Sequence, residues 1–128
     1  MRVVVAAIVE RDGKVLVCRR RDDQSHPGKW EFPGGKVEPD ESFEIALARE
    51  LREELAIEAT VGEEITRYHY AYPDQAPILL VFYQVRDFAG QPRNLAFAEI
   101  AWEKKERLPA YDFLGGDVHF VRKLAGAS

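Results

Sequence analysis

Three features of the sequence predict an α/β domain. Two β-branched runs, "RVVVAAIVE" and "KVLVCRR", are joined by "RDG". Residues 42–55, "SFEIALARELREEL", contain neither Gly nor Pro and consist largely of good helix formers. Further short runs of strand-forming residues follow, separated by turn-forming clusters.

In chain order, Asp12 and Gly13 supply the turn chemistry of a β-hairpin, whose second strand brings Arg19, Arg20 and Arg21 to its end. Arg20 should face the opposite side of that strand from Arg19 and Arg21. "DDQSHPGKWEFPGGKVEPDE" is polar and rich in Gly and Pro, which predicts a long irregular loop with a short extended piece around residues 30–32. Loops of that length inside a compact domain are usually functional. The helix over residues 42–55 has Leu47, Leu51 and Leu55 spaced four apart, as a buried stripe requires. After it, "AIEATVGEEITRYHYAY" and "PILLVFYQVRD" predict strands around a turn at "PDQAP", and "EIAWEK" predicts another. "LPAYDFLGGDVHFVRKLAGAS" is expected to form a loop, a short helix and a frayed tail.

The 128 residues are 46% hydrophobic and 31% charged, which fits one domain with a core. The formal charge of −4 argues against a general grip on long nucleic acid, where a basic surface provides most of the affinity. A small anion needs only local positive charge or a metal. No apolar run is long enough to cross a bilayer, and the N-terminal stretch becomes charged too early for a secretory signal, so a cytoplasmic protein is expected. The lone Cys18 sits in an apolar strand run and is expected to be buried there.

Glu50, Glu53 and Glu54 stand at i, i+3 and i+4, so at about 100° per residue they share one helix face. By itself such a patch is most simply a solvated face with Glu–Arg pairs. The preceding "FPGGKVEPDE" changes that reading, because two glycines allow the backbone to approach the same patch closely. Three carboxylates beside a close backbone suit a hard divalent cation with oxygen ligands.

Residues 35–57, "GKVEPDESFEIALARELREELAI", resemble the Nudix box, G-x5-E-x7-R-E-U-x-E-E-x-G-U, where U is a bulky aliphatic residue. The match runs through Gly35, Glu41, Arg49, Glu50, Leu51, Glu53, Glu54 and Ile57, and departs at Ala56, where the pattern has Gly. At a helix C-terminus that Gly supplies a left-handed conformation; Ala there should cost on the order of 1 kcal/mol. The resemblance implies an α/β/α sandwich with a mixed central sheet. It also implies Mg²⁺, with Mn²⁺ able to substitute, bound by Glu53, Glu54 and the Gly34 carbonyl, with Glu50 a ligand or a base. Glu41 and Arg49 would form an ion pair bracing loop against helix. The reaction implied is attack of water on a nucleotide's phosphoric anhydride, giving nucleoside monophosphate and pyrophosphate.

Arg20 and Lys36 are candidates for the phosphate chain, with a plain surface role the alternative for each. MutT-like members of the family carry a further acid six positions before a tryptophan; counting back from Trp102 reaches Ala96, and Glu99 is the nearest acid. "GKWEFPGGKVE" and "LPAYDFLGGD" extend the likeness to the MutT-like branch, which includes 8-oxo-dGTP diphosphatases and CTP pyrophosphohydrolases. In the former an asparagine after the "DF" segment reads the oxidised purine, and here that place falls to Asp117. An ionised carboxylate only accepts hydrogen bonds, whereas a protonated one imitates part of an amide's pattern. The resemblance implies 8-oxo-dGTP as the expected substrate, and the carboxyl at Asp117 keeps CTP or dCTP as the alternative. Phe113 and Tyr72 are candidates to stack on the base, or else packing residues. His26, His69 and His119 are expected to be structural or exposed. The competing functions are a catalytically silent nucleotide-binding Nudix module and a nucleoside diphosphate sugar hydrolase; a monomer or homodimer is expected.

Overall fold

The computed structural model describes residues 1–126. The expected frayed tail lies in part outside them. Strand β1 (Arg2–Arg11) turns through Asp12 and Gly13, at φ 54° and 76°, into β2 (Lys14–Arg19). Two successive left-handed residues give a two-residue hairpin the twist its strands need.

β1 is the centre of the molecule. It runs parallel to β7 (Ile78–Val85) and antiparallel to β4 (Gly34–Lys36), and meets β2 only at Glu10–Val15 and Arg11–Lys14. β2 then separates to pair with β3 (Trp30–Glu31) and β9 (Glu99–Lys104). β6 (Glu64–Tyr70) lies along the free side of β7, and β5 (Glu58–Thr60) with β8 (Asp87–Ala89) forms a separate small ribbon. One parallel pair among antiparallel ones makes the larger sheet mixed.

Alternation along β1 explains the layers. Val5, Ala7 and Val9 join the core under helix α1 (Phe43–Leu55), while Ala6 and Ile8 join Phe120 and Val121 of helix α2 (Gly115–Gly126) on the other face. A strand buried on both faces reads as a continuous apolar run, as residues 3–9 do. The result is the expected α/β/α sandwich.

α1 begins at Ser42, whose hydroxyl accepts the Ile45 N–H at 3.1 Å, and buries Leu47, Leu51 and Leu55 completely. Each leucine contributes roughly 1.5–3 kcal/mol by leaving water. The helix ends at Ala56, left-handed at φ 57°, with its N–H on the Arg52 carbonyl. The non-glycine residue thus holds the geometry the pattern reserves for Gly. Cys18 is fully buried, as expected, and burial pushes its thiol well above the ordinary range.

Three details differ from expectation. The long loop contains β4 as well as the extended piece, because Val37 donates to the Val3 carbonyl and Ala7 to the Pro33 carbonyl, drawing the segment onto β1. The run after α1 is two strands, β5 and β6, with Gly62 between them. A 3-10 turn, Lys105–Ala110, precedes α2. Among the described residues no helix is long and apolar enough to cross a membrane.

Candidate active site

β4 places the glycine pair directly beneath α1. A Cβ on Gly34, at φ 154°, would stand 2.0 Å from the Val5 carbonyl oxygen, and one on Gly35 would stand 2.5 Å from Glu50 Cδ. Neither position has room for a side chain. That absence lets Glu54 accept the Gly34 N–H at 3.1 Å and lets the Glu50 carboxyl rest on Gly35.

Arg49 organises the carboxylates around it. Its guanidinium forks onto Glu41 (Nε to Oε2 2.7 Å, Nη2 to Oε1 2.9 Å) and reaches Glu50 Oε1 at 3.0 Å and Glu53 Oε2 at 3.4 Å. It also donates to the Lys36 carbonyl at 3.3 Å, tying loop to helix. The Glu41–Arg49 pair is therefore present where the resemblance put it. Arg49, together with the Glu38 amide, holds Glu41 down at about 2.

A cleft of about 270 Å³ runs from this region across the sheet towards α2. Glu54, Glu31 and Asp117 line it, and Glu50 stands just behind its wall. Glu50 is raised above the usual carboxylate range by burial, against the pull of Arg49. Glu54 is pushed to about 8, by burial first and then by the negative charges of Glu50 and Glu31. Glu31 is raised by burial despite Arg20 at 3.0 Å. Asp117, only 7% exposed, is pushed to about 8 by burial and by Glu31, while the Phe32 amide works weakly against the shift.

The chemistry of the metal end fits a divalent cation. Its donors are hard carboxylate and carbonyl oxygens, and Glu54, raised first by burial and then by the charges of Glu50 and Glu31, is a carboxyl that a cation would favour in its ionised form. Among the described residues no three His, Cys, Asp or Glu side chains are gathered into a ready cage. Arg49 engages Glu50 and Glu53, and Glu54 is turned to the Gly34 amide. An arriving cation would have to compete with those contacts.

A model of the NUDIX domain matches residues 1–124. The chain belongs to the Nudix hydrolase family. It is 44% identical over 115 residues to the CTP pyrophosphohydrolase of Escherichia coli (strain K12), covering 90% of this chain and 84% of that protein. It is 35% identical over 124 residues to the nucleoside triphosphatase NudI of Escherichia coli O1:K1 / APEC, covering 87% of each. A MutT Nudix hydrolase from Burkholderia pseudomallei has the same fold, with a TM-score of 0.83 at 26% identity over 94% of each chain. The expected MutT-like branch is supported by these likenesses.

Of the residues singled out in this Nudix chain, Gly34, Lys36, Glu54, Arg20, Tyr72 and Asp117 line one cleft. Glu50 stands just behind Gly35, and Glu53 is exposed beside Arg49. Arg20 lies one residue past β2, bonded to Glu31 and to the Ser25 carbonyl and hydroxyl. Tyr72 presents its ring to the cleft, and its hydroxyl accepts the Gly116 N–H at 3.1 Å.

Phe113, offered as a stacking surface, is buried in the core instead. Its ring lies 5.1 Å from Phe32, and the bridge of its backbone to Trp30 draws it inward, away from the cleft wall. Glu99, the nearest acid to Ala96, is not among the residues that line the cleft. Its exposed carboxylate is 3.9 Å from Arg19, whereas Ala96 itself lines the cleft. The loop carrying Ala96 is hung on the end of α1 by Arg93 N–H to the Leu55 carbonyl and Leu95 N–H to the Glu54 carbonyl. His69 and His119 are exposed as expected; His26 is exposed too, but at the cleft mouth, its ring 4.9 Å from Tyr72.

Glu31 is the principal residue that sequence reasoning missed. The available signal was an acid between Trp30 and Phe32 in a short extended segment, where strand alternation sends it to the face opposite its aromatic neighbours.

Proposed function

We propose that this Nudix hydrolase converts a nucleoside triphosphate and water to nucleoside monophosphate and pyrophosphate with Mg²⁺, and that a cytosine nucleotide is its preferred substrate. Glu50, Glu53, Glu54 and the Gly34 carbonyl would hold the ion, with Mn²⁺ able to substitute. Bound there, it would polarise the phosphates and help activate water. Glu50 has Oε1 tied to Arg49, leaving Oε2 to accept the proton of the attacking water. Lys36, exposed at the cleft wall, and Arg20 supply positive charge to the phosphate chain. Glu41 and Arg49 keep the loop and helix in register. The substrate is a small nucleotide met in the cytoplasm, and the protein acts as a monomer or homodimer.

The observation that carries the base preference is Asp117. A buried carboxyl with a pKa of about 8 is mostly protonated at pH 7, so it offers one donor and one acceptor side by side. The Phe32 amide beside the carboxyl makes one of its oxygens the acceptor and leaves the proton to the other, which fixes their order. In that order cytosine presents the matching pair, N3 to accept and the N4 amino group to donate, and uracil presents the reverse. The 44% identity to a CTP pyrophosphohydrolase supports the same reading, though mildly.

The second reading keeps 8-oxo-dGTP as substrate. A neutral acid also matches O6 and the N7–H of 8-oxoguanine, as the asparagine amide would, but not the two acceptors of unmodified guanine on that edge. The deciding experiment measures pyrophosphate release with Mg²⁺ from CTP, dCTP, UTP, dGTP and 8-oxo-dGTP. CTP should exceed UTP in kcat/KM by at least about tenfold. A dominant 8-oxo-dGTP rate would select the second reading, and comparable slow rates on all five would remove Asp117 as a base reader. Tight metal-dependent binding without turnover would instead indicate the silent module.

A further inference from the structure

Asp117 opens the first turn of α2, and the residue before it is held at both of its backbone polar atoms by tyrosine hydroxyls. Gly116 N–H donates to Tyr72 Oη at 3.1 Å, and the Gly116 carbonyl, which belongs to the peptide joining it to Asp117, accepts from Tyr68 Oη. The first N–H groups of a helix have no acceptor within it, so the Tyr72 hydroxyl acts as a cap supplied by another segment.

The glycines at this point admit the tyrosines. A Cβ on Gly115 would lie 2.5 Å from Tyr70 Oη; one on Gly116 would lie 2.9 Å from Tyr72 Oη and 3.0 Å from Leu80 Cδ1. Tyr68 and Tyr70 are alternate residues of β6 and Tyr72 continues the series, so all three face α2 together. Packing alone would require only the rings, and phenylalanine would serve. Hydroxyls directed at both polar atoms of one residue do something more specific: they fix the height and rotation of the helix start that carries Asp117. Tyr68 does this from outside the cleft, between Phe82 and His119.

We propose that Tyr68 and Tyr72 are positioning residues of base recognition, setting through Gly116 where the Asp117 carboxyl meets the base. The proposal rests on the reading of Asp117 given above. It assigns to β6 a part in specificity that the cleft wall alone does not reveal.

The test measures kcat and KM for CTP, UTP, 8-oxo-dGTP and dGTP in wild type, Tyr68→Phe, Tyr72→Phe, Asp117→Ala and Tyr68→Phe/Asp117→Ala, with thermal midpoints in the same buffer. Tyr68→Phe should lower the wild-type discrimination, CTP over UTP or 8-oxo-dGTP over dGTP, by about three- to tenfold through KM, with kcat nearly unchanged. In the Asp117→Ala background it should change the ratio no further. Tyr72→Phe keeps the ring and should act in the same direction, so it decides the matter if Tyr68→Phe does not fold. A lowered midpoint with undiminished discrimination in both tyrosine variants overturns the proposal and leaves the Asp117 reading intact. So does an equal effect of Tyr68→Phe with and without Asp117. Discrimination that is absent in wild type, or survives Asp117→Ala, overturns the Asp117 reading and this proposal together.

Discussion

At the proposed metal end, the glycine bend and the three helix carboxylates, of which Glu54 lines the cleft, come from residues 34–54, whereas the proposed base end joins Phe32, Tyr72 and Asp117 from three separate parts of the chain. The first end is a local construction. One turn of helix sets the spacing of Glu50, Glu53 and Glu54, and Arg49 and Glu41 tie that turn to the loop just before it. The second end exists only because the segments just after β6 and β3 meet the start of α2. A local site is specified by periodicity and survives changes elsewhere; a composite site depends on how distant elements dock, and so it is the part where specificity can vary.

The strongest way to break this comparison is at the metal end. Glu54→Gln and Glu53→Gln should each lower turnover with Mg²⁺ by at least about a hundredfold while circular dichroism stays unchanged. A near-normal rate in either would withdraw that residue from the ion. At the base end, Asp117→Ala should reduce the CTP-to-UTP ratio of kcat/KM by about ten- to a hundredfold with a smaller effect on kcat, and Asp117→Asn should retain more of it. Equal losses of kcat on every nucleotide would show that the two ends are not separable.

Asp117 also sharpens the comparison through pH. Its carboxyl is raised from the ordinary 3.8 to about 8 in the folded chain, so between those values the native state holds a proton that the unfolded state has released. Folding stability should fall as pH rises through that window, by at most about 1.4 kcal/mol per unit from this group, and level off above it. Chemical denaturation of wild type against Asp117→Asn from pH 5 to 8 isolates the contribution. Parallel curves would show that the carboxyl is not protonated in its buried place.

Two smaller effects test how self-contained the helix is. Ser42→Ala removes the acceptor for the Ile45 N–H and should cost about 1 kcal/mol, read from the denaturation midpoint. Ala56→Gly relieves a left-handed Cβ at φ 57° and should stabilise by up to about 1 kcal/mol, with activity unchanged. A destabilised Gly variant would mean that unfolded-state entropy outweighs the relief.

Legibility follows the same division. The helix from Ser42 to Leu55, its leucine stripe and its left-handed end at Ala56 are all consequences of near neighbours, so spacing and composition sufficed to find them. β4 was hidden because "GGK" has no strand propensity; it is a strand only through its hydrogen bonds to β1. Glu31 was hidden because its importance lies in the charge it sets near both Glu54 and Asp117, which are far from it in sequence. Phe113 was overestimated because an aromatic residue in a loop carries no mark of whether it faces a core or a cleft.

By itself, the sequence determined the family, the carboxylate face and the brace between Glu41 and Arg49, since each depends on contacts within a few turns of chain. Tertiary structure alone decided that Asp117 is buried, with its carboxyl raised to about 8, that the Tyr68 and Tyr72 hydroxyls meet Gly116 at the helix start, and that Glu99 is not part of the cleft lining. Those outcomes depend on desolvation and on contacts between distant strands and helices, and both arise only once the sheet has brought its two faces together.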